Sequence, residues 1–221
     1  AGLIASGLFL YWFFGRIRAT REYALMHLVE RITSRDLTDH LLETELKEII
    51  QERDEITKDR FDTLVERCDV LDLEGTMDSE ALFEAVSEAM APRLGLAPEA
   101  FLSLMRQREQ ESSTAIGPHL AIPHIIVDGT STFAILLVRC LRGIRFSDES
   151  PNVNAVFVLA GSKDERNFHL RALSAIAQIT QSQDFEKHWL DAKSIEGLRD
   201  VVLLGERKRH VPPLPSEVDR I

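Results

Sequence analysis

Two nearly uninterrupted apolar runs in the second half of the chain restrict its fold more than any other feature. They are TFAILLVRCL at residues 132–141 and VNAVFVLAG at residues 153–161. A strand that is apolar at almost every position must be covered on both faces, whereas a strand with one wet face alternates apolar and polar residues. The two runs therefore predict central strands of a sheet, joined through the turn residues at 147–152 and flanked by helices on both sides.

The segments around these runs carry further strand and helix signals in mixed order. DVLDL at 69–73 alternates as a short strand, and STAIGPHLAIPH at 113–124 predicts another. Cap and periodicity signals predict helices that run from Asp78 or Ser79 to about Met90, from about Pro98, from about Phe168 to Gln181, within 184–192 and within 194–204. Helices before, between and after such strands predict an α/β sandwich, a mixed sheet flanked by helices, over about residues 67–205.

Composition excludes some classes of function. The 221 residues include 26 Lys and Arg against 36 Asp and Glu, and the resulting net charge of −10 argues against a general nucleic-acid footprint. Cys68 and Cys140 lie far apart, without a CxxC pair or a Cys/His ligand spacing, so neither a disulfide framework nor a structural zinc is predicted. We expect both cysteines to be buried thiols, and we predict no cofactor.

The first 15 residues have a different character from the rest. They carry no charge, end in an aromatic group at 11–14 and are followed by Arg16, Arg18 and Arg21, which is the pattern of a helix leaving a membrane on its cytoplasmic side. Because a span needs about 20 apolar residues, we expect residues 1–15 to be the end of a transmembrane helix that starts within a longer protein. This places the chain at the inner membrane, mostly on the cytoplasmic face. The alternative is a buried or interfacial amphipathic helix.

Residues 16–66 are predicted to form a cytoplasmic helical linker. Within it, LLETELKEIIQERDEITKDRFDTLVERC at 41–68 predicts one long amphipathic helix without Gly or Pro. Its apolar stripe can pack on the following domain, on the membrane protein or on a second copy in a homodimer. At the other end, residues 206–221 contain three prolines and no core pattern, so we predict a flexible tail.

The candidate chemistry centres on two histidines. His124 follows the rigid Pro123 at the end of an apolar run, and a neutral imidazole can accept a phosphoryl group at neutral pH. His169 opens a predicted helix and can enter the same pocket. The phosphoryl oxygens would need a cation and hydrogen-bond donors, for which the candidates are Arg108, Ser113, Thr114 and the backbone at Gly117. His119 is a further candidate, and no ligand spacing predicts a metal site.

Several of these residues occur in an ordered set of motifs. Arg108-Glu precedes Thr114, and Ile-Gly, Ala-Ile-Pro-His, Gly-Ile-x-Phe and His-Leu then follow in order. Over residues 67–205 the chain resembles the enzyme IIA domain of the mannitol/fructose type from the bacterial phosphoenolpyruvate-dependent sugar phosphotransferase system. The resemblance implies that His124 is the phosphoryl acceptor, that His169 is the second active-site histidine, that Arg108 orients the phosphate, and that a histidine-containing phosphocarrier protein is a partner.

The chain departs from this pattern beside the acceptor. Ile125 stands where the family commonly has a small residue, Pro118-His119 replaces an Asn-Gly pair, and Ala115 replaces a frequent glycine. We expect bulk next to His124 to hinder docking of the phosphocarrier.

A second resemblance concerns the N-terminal segment. YWFFGRIRATREYALMHLVERIT at 11–33 is similar to the cytoplasmic end of an amino acid permease of the amino acid-polyamine-organocation type. Together the two resemblances predict a regulatory domain of a membrane transporter that senses phosphorylation or a ligand at the histidine pocket. Two alternatives stay open: a phosphohistidine carrier that relays phosphate to a separate partner, and a structural dimerisation domain with a vestigial site.

Overall fold

The computed structural model describes residues 57–210, which fall almost entirely within one compact unit that begins at Lys58. The predicted membrane-exit segment at 1–15, the linker up to residue 56 and the tail from residue 211 lie outside the described residues. Among the described residues, no helix combines the length and the apolar character that a membrane crossing requires.

A mixed six-stranded sheet forms the middle layer. Its strands are β1 (Asp69–Leu73), β2 (Met77–Asp78), β3 (Leu120–Ala121), β4 (His124–Val127), β5 (Phe133–Arg145) and β6 (Val153–Ser162). The long strands β5 and β6 are antiparallel neighbours in the centre. β1 and β2 both pair parallel with β5, and β3 and β4 both pair parallel with β6. The mixed sheet and the two central strands confirm the sequence prediction.

Helices cover both faces of this sheet. They are α1 (Arg60–Arg67), α2 (Ser79–Met90), α3 (Pro98–Glu111), α4 (Arg166–Thr180), α5 (Phe185–Asp191) and α6 (Ile195–Leu203). Side chains alternate along β6, so that Val156 and Val158 join the core beneath α2 and α3 while Phe157 stacks on Trp189 of α5. All ten residues of β6 are buried, which explains why the strand is apolar except at Asn154 and Ser162, whose side chains donate hydrogen bonds to the Cys140 and Thr132 carbonyls.

The helix ends follow the predicted signals. The Asp78 side chain accepts a hydrogen bond from the amide of Ala81 at 2.9 Å and caps α2. Pro98 is the first residue of α3, where its missing amide costs no helix bond. The two helices are joined through a short 3-10 helix at Ala91–Leu94, which ends at Gly95 in the left-handed region with φ 67°.

The strand predicted at 113–124 is instead a loop and two short strands. The Ile116 amide donates to Leu120 at 2.7 Å, and the Ile122 amide donates to Thr114 at 2.9 Å, so this stretch closes on itself before it joins β6. Pro123 has no amide to donate and separates β3 from β4. His124 therefore begins a strand, whereas the sequence analysis placed it at the end of one.

The prediction of one continuous helix at 41–68 is wrong in its C-terminal part. Residues 57–59 are not helical, and α1 begins at Arg60. Asp59 has an extended backbone with φ −106° and ψ −176° and forms a capping box with Asp62. The Asp59 carboxylate accepts a hydrogen bond from the Asp62 amide, and the Asp62 carboxylate accepts one from the Asp59 amide. This reciprocal bonding starts a new helix at a position that periodicity alone assigns to the interior of a longer one.

The segment after α6 is attached to the domain through ion pairs. Arg207 lies 2.8 Å from carboxylate oxygens of both Asp59 and Asp62, and Arg209 Nε lies 3.1 Å from Asp62. We call Asp59, Asp62, Arg207 and Arg209 the flank clamp. Residues 206–210, which the sequence analysis assigned to a flexible tail, therefore pack against the start of α1.

Candidate active site

His124 is held in one tautomer at the first position of the edge strand β4. Its Nδ1 lies 2.9 Å from the carbonyl oxygen of Ile122, which can only accept a hydrogen bond, so Nδ1 carries the proton. The guanidinium Nη2 of Arg108 lies 3.2 Å from Nε2 and can only donate, so Nε2 holds a free lone pair. Both neighbours therefore select the neutral ring with Nε2 as the nucleophilic atom.

Arg108 reaches His124 from the last turn of α3. Its Nη1 donates a hydrogen bond at 2.9 Å to the carbonyl oxygen of Ser112, the residue that caps the C-terminus of α3. Its Nη2 faces the imidazole of His124. The side chain is half-buried, and the carbonyl bond keeps the guanidinium directed at the pocket. The remaining N–H groups of Arg108 can donate to an anionic group placed next to Nε2 of His124.

His169 lies beside His124 in the first turns of α4. The two ring centroids are 5.6 Å apart at an angle of 71°, and the ring of Phe133 lies 5.4 Å away on another side. His169 is only 5% exposed, and among the described residues neither of its ring nitrogens has a hydrogen-bond partner. Burial and the charge that His124 can carry lower the pKa of His169 to about 4, so its ring is neutral at pH 7.

Ser113 and Thr114 are both bonded to Glu109. The carboxylate accepts from the Ser113 hydroxyl at 2.9 Å, from the Thr114 amide at 2.9 Å and from the Thr114 hydroxyl at 2.5 Å. These are the hydroxyls that the sequence predicts as phosphate donors. In the structure they tie the loop after α3 to the helix that carries Arg108.

Gly117 and His119 are placed at the opposite end of the loop. The Gly117 carbonyl accepts from the Ser150 hydroxyl at 3.0 Å, which joins it to the turn between β5 and β6. His119 lies beside the start of β6, with Nδ1 3.2 Å from the Asn152 carbonyl and 3.6 Å from Glu186. His119 is bonded at Asn154 and His124 is aligned with Leu159, so about 16 Å of strand separates them. The structure thus brings together His124, His169 and Arg108, but not His119.

The departure at Ile125 does not crowd the acceptor. Side chains alternate along β4, and Ile125 is 4% exposed within the core beneath α2 and α3. The next residue, Ile126, points to the same side of the strand as His124 and is 44% exposed. Leu170, which follows His169, is 58% exposed. The expected obstruction by Ile125 is wrong, because its side chain points away from His124 into the core.

Two residues of the site were not selected from the sequence. Glu109 was present in the Arg-Glu motif, and its position next to Arg108 was the available signal. Phe133 had no such signal, because only the pairing of β5 with β6 brings it to His169. Within residues 57–210, no group of three His, Cys, Asp or Glu side chains is arranged to hold a metal ion.

Comparison with known families agrees with this geometry. The family model described as phosphoenolpyruvate-dependent sugar phosphotransferase system, EIIA 2, matches residues 66–203. The chain belongs to this family. The match contains the sheet, Arg108, both site histidines and Glu109. All four residues of the flank clamp lie outside it, two before residue 66 and two after residue 203.

Individual relatives show how far the similarity extends. A fructose-specific EIIABC component of the phosphotransferase system from Bacillus subtilis is 29% identical over 105 residues, which are 47% of this chain but only 16% of that protein. A nitrogen regulatory protein of Bradyrhizobium diazoefficiens is 30% identical over 126 residues, 57% of this chain and 82% of the relative. The crystal structure of the nitrogen regulatory protein IIA-Ntr from Neisseria meningitidis matches with a TM-score of 0.56 and 23% identity, over 60% of this chain and 91% of that one. This last likeness shows the fold.

Proposed function

We propose that this EIIA domain accepts a phosphoryl group on Nε2 of His124 from a histidine-containing phosphocarrier protein, and that phosphorylation regulates the protein to which residues 1–56 belong. The observation that carries the first part is the tautomer of His124. Nδ1 is committed to the Ile122 carbonyl, and Nε2 is unprotonated and faces Arg108.

The transfer needs no net proton movement at this site. The N–P bond of the donor phosphohistidine breaks and releases the donor imidazole as a new bond forms between phosphorus and Nε2 of His124. The proton stays on Nδ1 of His124, which keeps its hydrogen bond to the Ile122 carbonyl. Arg108 no longer needs to donate to Nε2 once phosphorus is bound there, so its N–H groups turn to the phosphoryl oxygens. Catalysis of this kind consists mainly of positioning and charge stabilisation.

His169 supplies a neutral donor beside the phosphoryl group. A buried ring N–H without a partner costs about 1 to 3 kcal/mol in the resting state. A phosphoryl oxygen on His124 would satisfy it, so the resting domain is preorganised for the phosphorylated state. The low pKa of His169 keeps its ring neutral at pH 7, so that it offers an N–H donor without adding a charge to the pocket.

The regulatory part of the proposal has separate support. Residues 1–15 and the arginines that follow have the pattern of a membrane exit, and residues 11–33 are similar to the end of an amino acid permease. One relative is named a nitrogen regulatory protein. We therefore propose that the domain lies on the cytoplasmic face of the inner membrane and controls an attached transporter.

Phosphorylation is tested on the full chain with phosphoenolpyruvate, enzyme I and phosphocarrier protein, followed by intact mass measurement. We expect a gain of one acid-labile phosphoryl group that is absent in His124→Ala and retained in His119→Ala, which removes the matched histidine in the loop just before β3. Equal labelling of the two variants, or no labelling of a folded wild-type protein, would overturn the assignment of His124 as acceptor.

Membrane attachment is tested by separating soluble and membrane fractions of bacterial cells that produce either the full chain or residues 58–221. A larger fraction of the full chain than of the shorter protein is expected to sediment with the membranes at neutral pH, because residues 1–15 are the apolar end of a span. If the two proteins distribute alike, residues 1–57 give the domain no membrane affinity and the transporter proposal fails while the phosphorylation proposal stands.

A further inference from the structure

Arg60, the first residue of α1, holds the beginning of the helix that carries His169. Its guanidinium forms two parallel bonds to Glu165, with N–O distances of 2.7 and 2.9 Å. Glu165 is the residue from which α4 starts, and its side chain is only 14% exposed. A two-pronged pair of this kind fixes the direction of both side chains as well as their separation.

The same guanidinium also lies over an aromatic ring of α4. The Arg60 Cζ atom is 4.2 Å from the ring centroid of Phe168, a distance typical of a cation–π contact. Phe168 in turn lies edge-on to Phe133, with centroids 4.7 Å apart. Phe133 lies edge-on to His169 at 5.4 Å, and His169 lies 5.6 Å from His124. A continuous set of ring contacts therefore leads from Arg60 to the candidate active site.

Arg60 is itself carried on a firmly held helix. Asp59 caps α1 and is bonded to Arg207, and the guanidinium of Arg207 lies 4.8 Å from the ring of Phe61. The Arg207 side chain is 1% exposed and that of Asp59 is 7% exposed. Arg60 lies before residue 66, where the family match begins, so this contact reaches the EIIA domain from outside the matched residues.

We propose that Arg60 is a positioning residue for the candidate active site, because it fixes the first turn of α4 and the Phe168–Phe133 pair that sets the ring of His169 beside His124. His169 has no hydrogen bond among the described residues to orient it, so its position depends on packing. The expected effect of Arg60 on the rate of phosphorylation rests on the proposed phosphorylation of His124. Its expected effect on the position of the His169 ring does not depend on that proposal.

The test compares Arg60→Ala with Lys58→Ala in the full chain. Lys58 is a near neighbour with an ion pair of its own to Glu66, and its side chain is 48% exposed, so it controls for loss of a surface cation. Ring-proton NMR shifts of His169, assigned by their loss in His169→Gln, report its place between two rings. We expect these shifts to move in Arg60→Ala, to stay unchanged in Lys58→Ala and to return partly in Arg60→Lys.

The second readout is the initial rate of phosphorylation by the phosphocarrier protein. We expect roughly a tenfold decrease in Arg60→Ala, since small misplacements of catalytic groups have effects of at least this size, and no decrease in Lys58→Ala. Unmoved His169 shifts in a folded Arg60→Ala protein would overturn the proposal, as would an unchanged rate alongside moved shifts. If wild-type protein is not phosphorylated at all, the NMR comparison still decides whether Arg60 positions His169.

Discussion

The flank clamp and the candidate active site are both clusters of ionisable side chains, but the clamp consists of paired charges whereas the site contains a neutral imidazole that is unpaired among the described residues. In the clamp, two carboxylates and two guanidinium groups lie within 3.1 Å of one another and are almost completely buried. Burial by itself would raise the pKa of Asp59, yet bonds from Arg207 and from the amides of Asp62 and His210 hold it well below its usual range. In the site, a buried histidine is neutral and has no hydrogen-bond partner within residues 57–210.

This difference distinguishes a cluster that stabilises the fold from one that can bind a ligand. A buried charge is tolerated only when opposite charges surround it, and such a cluster holds chain segments together. A polar group that is buried without a partner is rare, and it is stable here only because the ring is neutral and packed between aromatic side chains. Groups of the second kind are available to an incoming ligand, whereas each charged side chain of the clamp already has an oppositely charged partner.

Breaking the clamp should have the largest effect on stability. Arg207→Ala leaves Asp59 and Asp62 buried without their main counter-ion, and we expect a loss of roughly 3 to 5 kcal/mol in the free energy of unfolding. Urea denaturation of the full chain measures it. The control is Arg145→Ala, which removes an exposed pair with Asp148 and should cost less than about 1 kcal/mol. Equal losses in the two variants would show that the clamp contributes no more than a surface pair.

Removing the cation of the site should affect rate rather than stability. For Arg108→Ala we expect phosphorylation to slow by roughly 100-fold, because one directed donor to the transferring group is lost. Unfolding should change little, since the side chain is half-buried and bonded to one carbonyl. Arg106→Ala is the matched variant: Arg106 lies on the same helix and pairs with Glu80 at the surface. A rate loss of similar size in Arg106→Ala would remove the special role assigned to Arg108.

The unpartnered histidine should make stability depend on pH. The pKa of His169 is lowered from 6.5 to about 4 in the folded state, so between these values the unfolded chain binds more protons and stability falls as the pH falls. From pH 7 to pH 5 this residue should account for a loss of about 2 kcal/mol. Denaturation at both pH values should show that loss diminished in His169→Gln and unchanged in His188→Gln. Equal pH dependence of wild type and His169→Gln would mean that His169 is protonated in the folded domain.

Glu109 should give the smallest effect. Glu109→Gln replaces one acceptor oxygen of the three-bond cluster with a donor, and we expect it to destabilise the half-buried loop by about 1 kcal/mol and to slow phosphorylation a few-fold. Glu111→Gln on the same helix, whose carboxylate is exposed, serves as the comparison. If phosphorylation becomes faster in Glu109→Gln, then the hydroxyls of Ser113 and Thr114 act as phosphate donors once Glu109 releases them.

Much of the fold could be predicted from the sequence wherever a local pattern was compatible with only one kind of structure. The apolar runs identified β5 and β6 because both faces of these strands are covered, and Asp78 and Pro98 marked helix starts through their own capping chemistry. The loop at 113–124 was misjudged because its bonds run from Ile116 to Leu120 and from Ile122 to Thr114, a closure that strand periodicity does not express.

The site was accessible only in part. The motif order selected His124, His169 and Arg108, and the structure places these three together. His119 departs from the motif and was only a further candidate, but its place could not be read from the sequence. It lies five positions before His124, and the structure places the two histidines at different points along β6. Nor could the sequence show that Ile125 points into the core, since that depends on where β4 begins.

What the sequence by itself determined was the layered α/β architecture and a short set of candidate site residues that includes His124, because hydrophobic period and side-chain chemistry act locally. Only the tertiary structure decided the tautomer of His124, the burial of His169 and the pairing of the two flanks. Each of these depends on groups far apart in the chain: Arg108 meets His124, Phe133 meets His169, and Asp59 meets Arg207. Such contacts arise when the sheet and its helices close around a common core, and no local pattern specifies them.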